Sequence, residues 1–183
     1  MAHRALVAYR DGDGYHLHYA HDGEGVADRI TAATPFGGRS EQASTQSPSD
    51  PIADRFDIDP SGGYTSPTRV DPHPLARTVE PASVLRAIDA TIETLVVVAP
   101  DDTTRTYAVC PLGIDGGGPL VVVGPTDDAA SVRGTVRDRK ERLGAAVGAG
   151  RLDAETARRV LRRALARHGA VHSLDDASFL RTG

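Results

Sequence analysis

At the start of the chain apolar and polar positions follow a strand pattern. Arg4–Tyr9 and Tyr15–Tyr19 are rich in β-formers, and Arg10-Asp11-Gly12-Asp13-Gly14 between them is dense in turn residues, so the pattern predicts a hairpin. In its second strand Tyr15, Leu17 and Tyr19 share one face and His16 and His18 share the other. The second strand is therefore expected to be half exposed. Periodicity then vanishes: between Gly37 and Pro74, 24 of 38 residues are Gly, Ser, Pro, Asp or Thr, which marks a long surface loop or disordered insert.

Order returns at Thr78. Pro81 suits a first helical turn, and Val84, Leu85 and Ile88 give a short helix one apolar stripe. Thr94–Ala99, Arg105–Cys110 and Leu120–Val123 then read as strands, joined by connections too short for parallel crossovers. After Val123 the period becomes helical. Thr126 is the expected N-cap of a helix with Val132, Val136, Leu143 and Val147 on one side, ended by Gly148-Ala149-Gly150. Asp153 is expected to cap the next helix, whose Ala157, Val160, Leu161, Ala164, Leu165 and His168 share one face and which Gly169 terminates. Val171–Gly183 is either a flexible tail or docks through the amphipathic Leu174–Leu180.

The expected fold over residues 1–183 is a single α+β domain. Its antiparallel sheet joins the N-terminal hairpin to a three-stranded meander. The short helix and the C-terminal αα-hairpin cover one face, and residues 37–74 form the excursion.

Composition narrows the class. Aromatics make up 4% of the chain and Trp is absent, so the core must rely on Val, Leu, Ile and Ala. The longest apolar run, Leu95–Ala99, is far short of the roughly 18–20 residues a membrane-spanning helix needs. Arg4 and Arg10 bracket too few apolar residues for a signal peptide, so a cytoplasmic soluble protein is expected. Cys110 is the only cysteine, which excludes an intramolecular disulfide and any multi-cysteine metal site.

The net charge of -4 hides an asymmetry: residues 1–125 carry 9 Lys/Arg against 17 Asp/Glu, and residues 126–183 carry 12 against 8. Of the 21 basic residues only Lys140 is not Arg, 19 of the 25 acids are Asp, and Asn is absent, a bias that suits a GC-rich, salt-adapted host.

Few residues suggest chemistry. His16-x-His18-x-x-His21 offers metal ligands, since imidazoles two apart on a strand project to one side, with His3 or Asp22 as further candidates; the plainer reading is strand histidines with local hydrogen bonds. Asp57-x-Asp59-x-Ser61-Gly62 starts like a calcium loop, but its twelfth position is Thr68 rather than a bidentate Glu. Gly116-Gly117-Gly118 lacks the Lys-Ser/Thr of a phosphate loop and precedes a strand, so it is turn chemistry. No nucleophile elbow is present, Cys110 reads as a buried thiol, and no cofactor motif appears.

The strongest charge pattern lies on the last long helix. There Arg158, Arg159, Arg162, Arg163 and Arg167 lie opposite the apolar stripe. Such a face binds phosphates or an acidic partner, or it is simply solvated. The leading expectation is a non-enzymatic interaction or regulatory module whose partner is another protein or a second copy of the chain, with no membrane role. Nucleic acid is the weaker option because its counterion-release affinity shrinks at high salt. The alternative is a metal-binding protein or metal-dependent enzyme using His16, His18 and His21.

His3-Arg4-Ala5-Leu6-Val7-Ala8-Tyr9, the hairpin end Tyr19-x-His21 and Thr34-Pro35-Phe36-Gly37 resemble a family of small uncharacterised proteins of halophilic archaea. Where members of that family carry Trp-Gly after the matching histidine, this sequence has Asp22-Gly23. The resemblance implies a haloarchaeal cytoplasmic host and supplies no activity, catalytic residue or cofactor.

Overall fold

A computed structural model describes residues 3–21, 23, 25–37, 70–114 and 117–181. The hairpin forms as expected: β1 (Ala5–Asp11) pairs antiparallel with β2 (Gly14–Ala20), and Gly12, at φ 57°, takes a turn conformation that a side chain would disfavour. β3 (Ala76–Val79) adds to the outer edge of β2, and α1 (Pro81–Arg86) follows with Pro81 in its first turn. β4 (Thr94–Val98), β5 (Thr104–Pro111) and β6 (Leu120–Gly124) form the antiparallel meander. Next come α2 (Ala129–Gly148) and α3 (Ala154–Leu165), the αα-hairpin, then β7 (Ala170–Ser173) against β6 and the short α4 (Ser178–Arg181).

The sheet order is β3-β2-β1-β4-β5-β6-β7, and it corrects the expectation of a wholly antiparallel sheet. Hairpin and meander meet through a parallel pair, Leu6↔Leu95 to Tyr9↔Val98. β3 occupies the free edge of β2, and the returning chain joins along β1 running in the same direction. It enters at the start of that strand, where the N–H groups of Glu93 and Thr94 both donate to the Arg4 carbonyl. The sequence pattern predicts neither β3 nor β7, because four residues with exposed or half-buried side chains carry almost no period-two signal.

A second correction concerns the layers. The short helix and the αα-hairpin lie on opposite faces. On one face Leu6, Tyr15, Leu17, Leu95, Tyr107 and Val122 pack under Val84, Leu85 and Ile88 of α1 and its flank and under Phe179 and Leu180 of α4. On the other, Val7, Tyr9 and Val96 are covered by Val26, Ile30, Phe36 and Val70, while Ala108, Cys110 and Val121 are covered by Val132, Val136, Leu161 and Leu165 of the αα-hairpin. Every residue of β4 is buried, as are Ala5–Tyr9 of β1, so two covers are required; such unbroken apolar runs are the mark of strands buried on both sides.

The helix caps follow local hydrogen bonding. Asp128, not Thr126, caps α2 by accepting from the Ser131 N–H at 2.7 Å, and the Thr126 hydroxyl accepts from the Asp128 N–H. Asp153 caps α3 as expected, accepting from the N–H and hydroxyl of Thr156. Residues 38–69, most of the expected excursion, lie outside the described residues. Its two ends meet, since the Val70 N–H donates to the Phe36 carbonyl at 3.0 Å and Val70 bridges to Ala20. No helix among the described residues is long and apolar enough to cross a membrane.

Candidate functional site

The arginine face is built on α3. Ala157, Leu161, Ala164 and Leu165 of this helix are buried, Leu161 and Leu165 completely. Arg158, Arg159, Arg162 and Arg163 are all exposed; the helix ends at Leu165 rather than at Gly169, so Arg167, also exposed, and the half-buried His168 follow it. Val160, expected in the buried stripe, is 39% exposed. At about 100° per residue it falls at the stripe's border, beside Arg163 and Arg167, rather than in it.

Few acids oppose these charges. Glu155 accepts from Arg159 at 3.2 Å across one turn, a fully exposed pair of small energetic value. Asp153 is engaged in capping; its carboxyl is held below the ordinary range by hydrogen bonds from the Thr156 backbone and hydroxyl, so it stays ionised. Arg158 donates to the Ala154 carbonyl. Among the described residues no acidic side chain pairs with Arg158, Arg162, Arg163 or Arg167.

The histidines are placed differently from expectation. His16 and His18 share one face of β2, but that face is covered: they are 1% and 0% exposed, which corrects the half-exposed strand. Nε2 of His16 lies 3.1 Å from Asp11, and Nδ1 of His18 lies 2.8 Å from the Asp71 carbonyl. The His18 ring stands edge-on to Tyr9 and tilted against Phe36. His21 is exposed at the strand end, and His3 turns to Glu93 instead, at 2.7 Å. Among the described residues no group of three or more His, Cys, Asp or Glu side chains is arranged to hold a metal ion.

A polar cluster that the sequence reading missed lies at the start of β4. Arg133 of α2, 14% exposed, donates to the Thr94 hydroxyl at 3.0 Å and to the Glu93 carbonyl, and its guanidinium lies 3.6 Å from the Glu93 carboxylate. Beside it a groove of about 260 Å³ runs between Gly23, Gly25 and Asp28 on one wall and Asp127 and Asp128 on the other, floored by Thr94 and Thr106. Charges of both signs line it, and Arg133 is occupied in tying α2 to β4. The available signal was its position next to Val132, on the inward side of α2.

The sequence matches the family of unknown function DUF6735 over residues 1–173. The chain belongs to DUF6735. The match takes in all seven strands and α1 to α3 of the DUF6735 fold, the arginine face included, and ends before α4. No curated protein and no solved structure matches the chain.

Cys110 of this DUF6735 chain lies in β5, buried beneath α2. Burial pushes its thiol up to about 11, against the weaker opposing pull of Arg133 and Lys140. Because burial penalises the thiolate, the group stays protonated and unreactive at neutral pH. Iodoacetamide at about pH 8 should leave the folded chain unmodified and alkylate it fully only after unfolding in guanidinium. Rapid alkylation of the folded chain would mean that α2 does not cover β5.

Proposed function

We propose that this DUF6735 chain is a non-enzymatic interaction module that docks an acidic protein surface on the arginine face of α3. The observation that carries this reading is the placement of four exposed arginines on a helix, with Arg167 exposed just past its end, while Leu161 and Leu165 fix the other side of the helix in the core. Guanidinium groups bind carboxylates in bidentate geometry, and a helix held by core contacts loses little further freedom on docking. The Asp-rich, Lys-poor composition supports a salt-adapted, haloarchaeal cytoplasm as the setting. At multimolar salt the Debye length falls below about 3 Å, which favours short-range bidentate contacts over the counterion release that drives phosphate-backbone binding.

A titration of labelled polyglutamate peptide into the full chain tests the reading, with fluorescence anisotropy as the signal and duplex DNA of equal charge in parallel. Saturable binding of the peptide that persists in about 1 M KCl, with DNA lost by then, is expected. DNA bound more tightly than the peptide at that salt would reverse the partner assignment.

A further inference from the structure

Three segments converge beside the N-terminal end of α3 without closing on one another. The β5–β6 connection contributes Gly113, Ile114 and Gly118, the end of α2 contributes Gly144, Val147 and Gly148, and α3 contributes Ala154 and Arg158. Four glycines among these eight residues leave the walls bare of side chains, and the result is a cleft of about 610 Å³, well within the range of pockets that hold a ligand or an anchoring side chain. The room is real at Gly148, where an added Cβ would meet nothing within 4 Å. Ile114 and Val147 make the wall apolar, and Arg158 is the one charged side chain among the described lining residues.

Arg158 is also the first member of the arginine face, so apolar cleft and basic surface are continuous. Arg162 follows four residues along the helix, about 6 Å further on, and Arg159 adjoins. An apolar group seated in the cleft would therefore have guanidinium groups at its flank, which is the charge complement of carboxylates on either side of it. Among the described residues, the exposed apolar side chains of a second copy of this chain do not supply that chemistry. Among the described residues the large exposed apolar ones are Leu75 and Val160, and Leu75 lies near Arg77 while Val160 sits within the arginine face itself.

We propose that this cleft receives the apolar anchor, an aromatic or leucine side chain, of the acidic protein segment docked by the arginine face. The inference rests on the docking reading above and adds the sequence character of the partner: carboxylates flanking a large apolar residue.

Two labelled peptides test it on the full chain by fluorescence anisotropy: an acidic peptide with one central phenylalanine, and the same peptide with alanine in its place. The phenylalanine peptide should bind about tenfold tighter or better, equivalent to about 1.4 kcal/mol. Gly148→Leu adds an apolar side chain at the cleft wall, where its Cβ meets nothing within 4 Å, and raises helix propensity. In that variant the two peptides should bind equally, at the affinity of the alanine peptide. Gly148→Met is a second filling variant, and circular dichroism verifies the fold of each. Arg159→Glu with Arg163→Glu should weaken both peptides alike and keep the preference for phenylalanine. Equal affinity of the two peptides for the unaltered chain, or a phenylalanine preference that survives both filled variants, would overturn the cleft assignment and leave the docking reading standing. Failure of both peptides to bind overturns the docking reading, and this inference with it.

Discussion

Leu161→Ala should destabilise the chain by about 2–5 kcal/mol, while Val160→Ala, one residue earlier, should change stability by only about 0.5 kcal/mol. Leu161 is completely buried in the cluster that joins α3 to Val132 and Val136 of α2 and to Ala108, Cys110, Val121 and Val123 of the sheet. Its truncation loses the transfer free energy of the removed atoms and leaves a cavity that two helices and a sheet cannot easily collapse. Val160, at the border of the arginine face, leaves no such cavity. For a chain of this size 1 kcal/mol corresponds to about 2–4 °C in Tm, so the leucine variant should melt roughly 4–20 °C lower. The reverse ranking would mean that α3 is rotated by about one residue, with part of the arginine face turned inward.

The second large effect is expected at Gly124, the last residue of β6. Its φ is 154°, and a Cβ there would lie 2.8 Å from the Thr106 carbonyl oxygen and 3.0 Å from the Thr126 nitrogen. Those two backbone groups hydrogen-bond to each other at 2.8 Å, and the chain from Thr126 leads directly to the Asp128 cap of α2. Gly169 presses on the same point, since its own Cβ would lie 2.9 Å from the Gly124 Cα. Gly124→Ala therefore combines backbone strain of about 1–3 kcal/mol with overpacking of about 1–3 kcal/mol. Gly150→Ala is the control: its φ is also positive, at 66°, but nothing lies within 4 Å. It should show only the conformational part, about 1–2 kcal/mol. Denaturant midpoints for the two variants separate strain from clash, and equal losses would remove the close approach as a cause.

How far the fold could be read depended on the length and regularity of each pattern. The hairpin and the meander have β-rich runs of four or more residues bounded by turn residues, α1 and the αα-hairpin have a helical stripe, and each was legible. The parallel β1·β4 pair was not, because connection length constrains only neighbours in sequence, and β1 and β4 are separated by β2, β3 and α1. The continuous apolar run Leu95–Ala99 did hold a clue, since a strand buried on both faces requires a layer on each side. The histidine face of β2 was misjudged because its covering residues, Phe36 and Val70, lie next to or within a stretch without periodicity.

At the candidate site, the arginines of α3 were legible from helical spacing alone, whereas Val160 sits at the edge of the stripe and Arg167 and His168 lie past the helix end. The cleft was hidden because its walls are made by missing side chains. Gly118 reads as a turn residue, Gly148 reads as a helix stop, and Gly113 carries no pattern of its own. Their convergence with Gly144 and Arg158 is a property of how α2 packs over the end of β5.

The docking of an acidic surface on α3 is most directly tested by reversing its charge. Arg159→Glu with Arg163→Glu replaces two exposed guanidiniums by carboxylates. The first substitution also turns the Glu155 pair into a like-charge contact, about 0.5 kcal/mol, so circular dichroism should be unchanged and Tm nearly so. Anisotropy titrations of polyglutamate and polylysine peptides then read the face itself. The expected result is a loss of polyglutamate affinity of at least about tenfold, with polylysine binding gained. Undiminished polyglutamate binding by a folded double variant would show the arginine face to be merely solvated, and would contradict the docking reading.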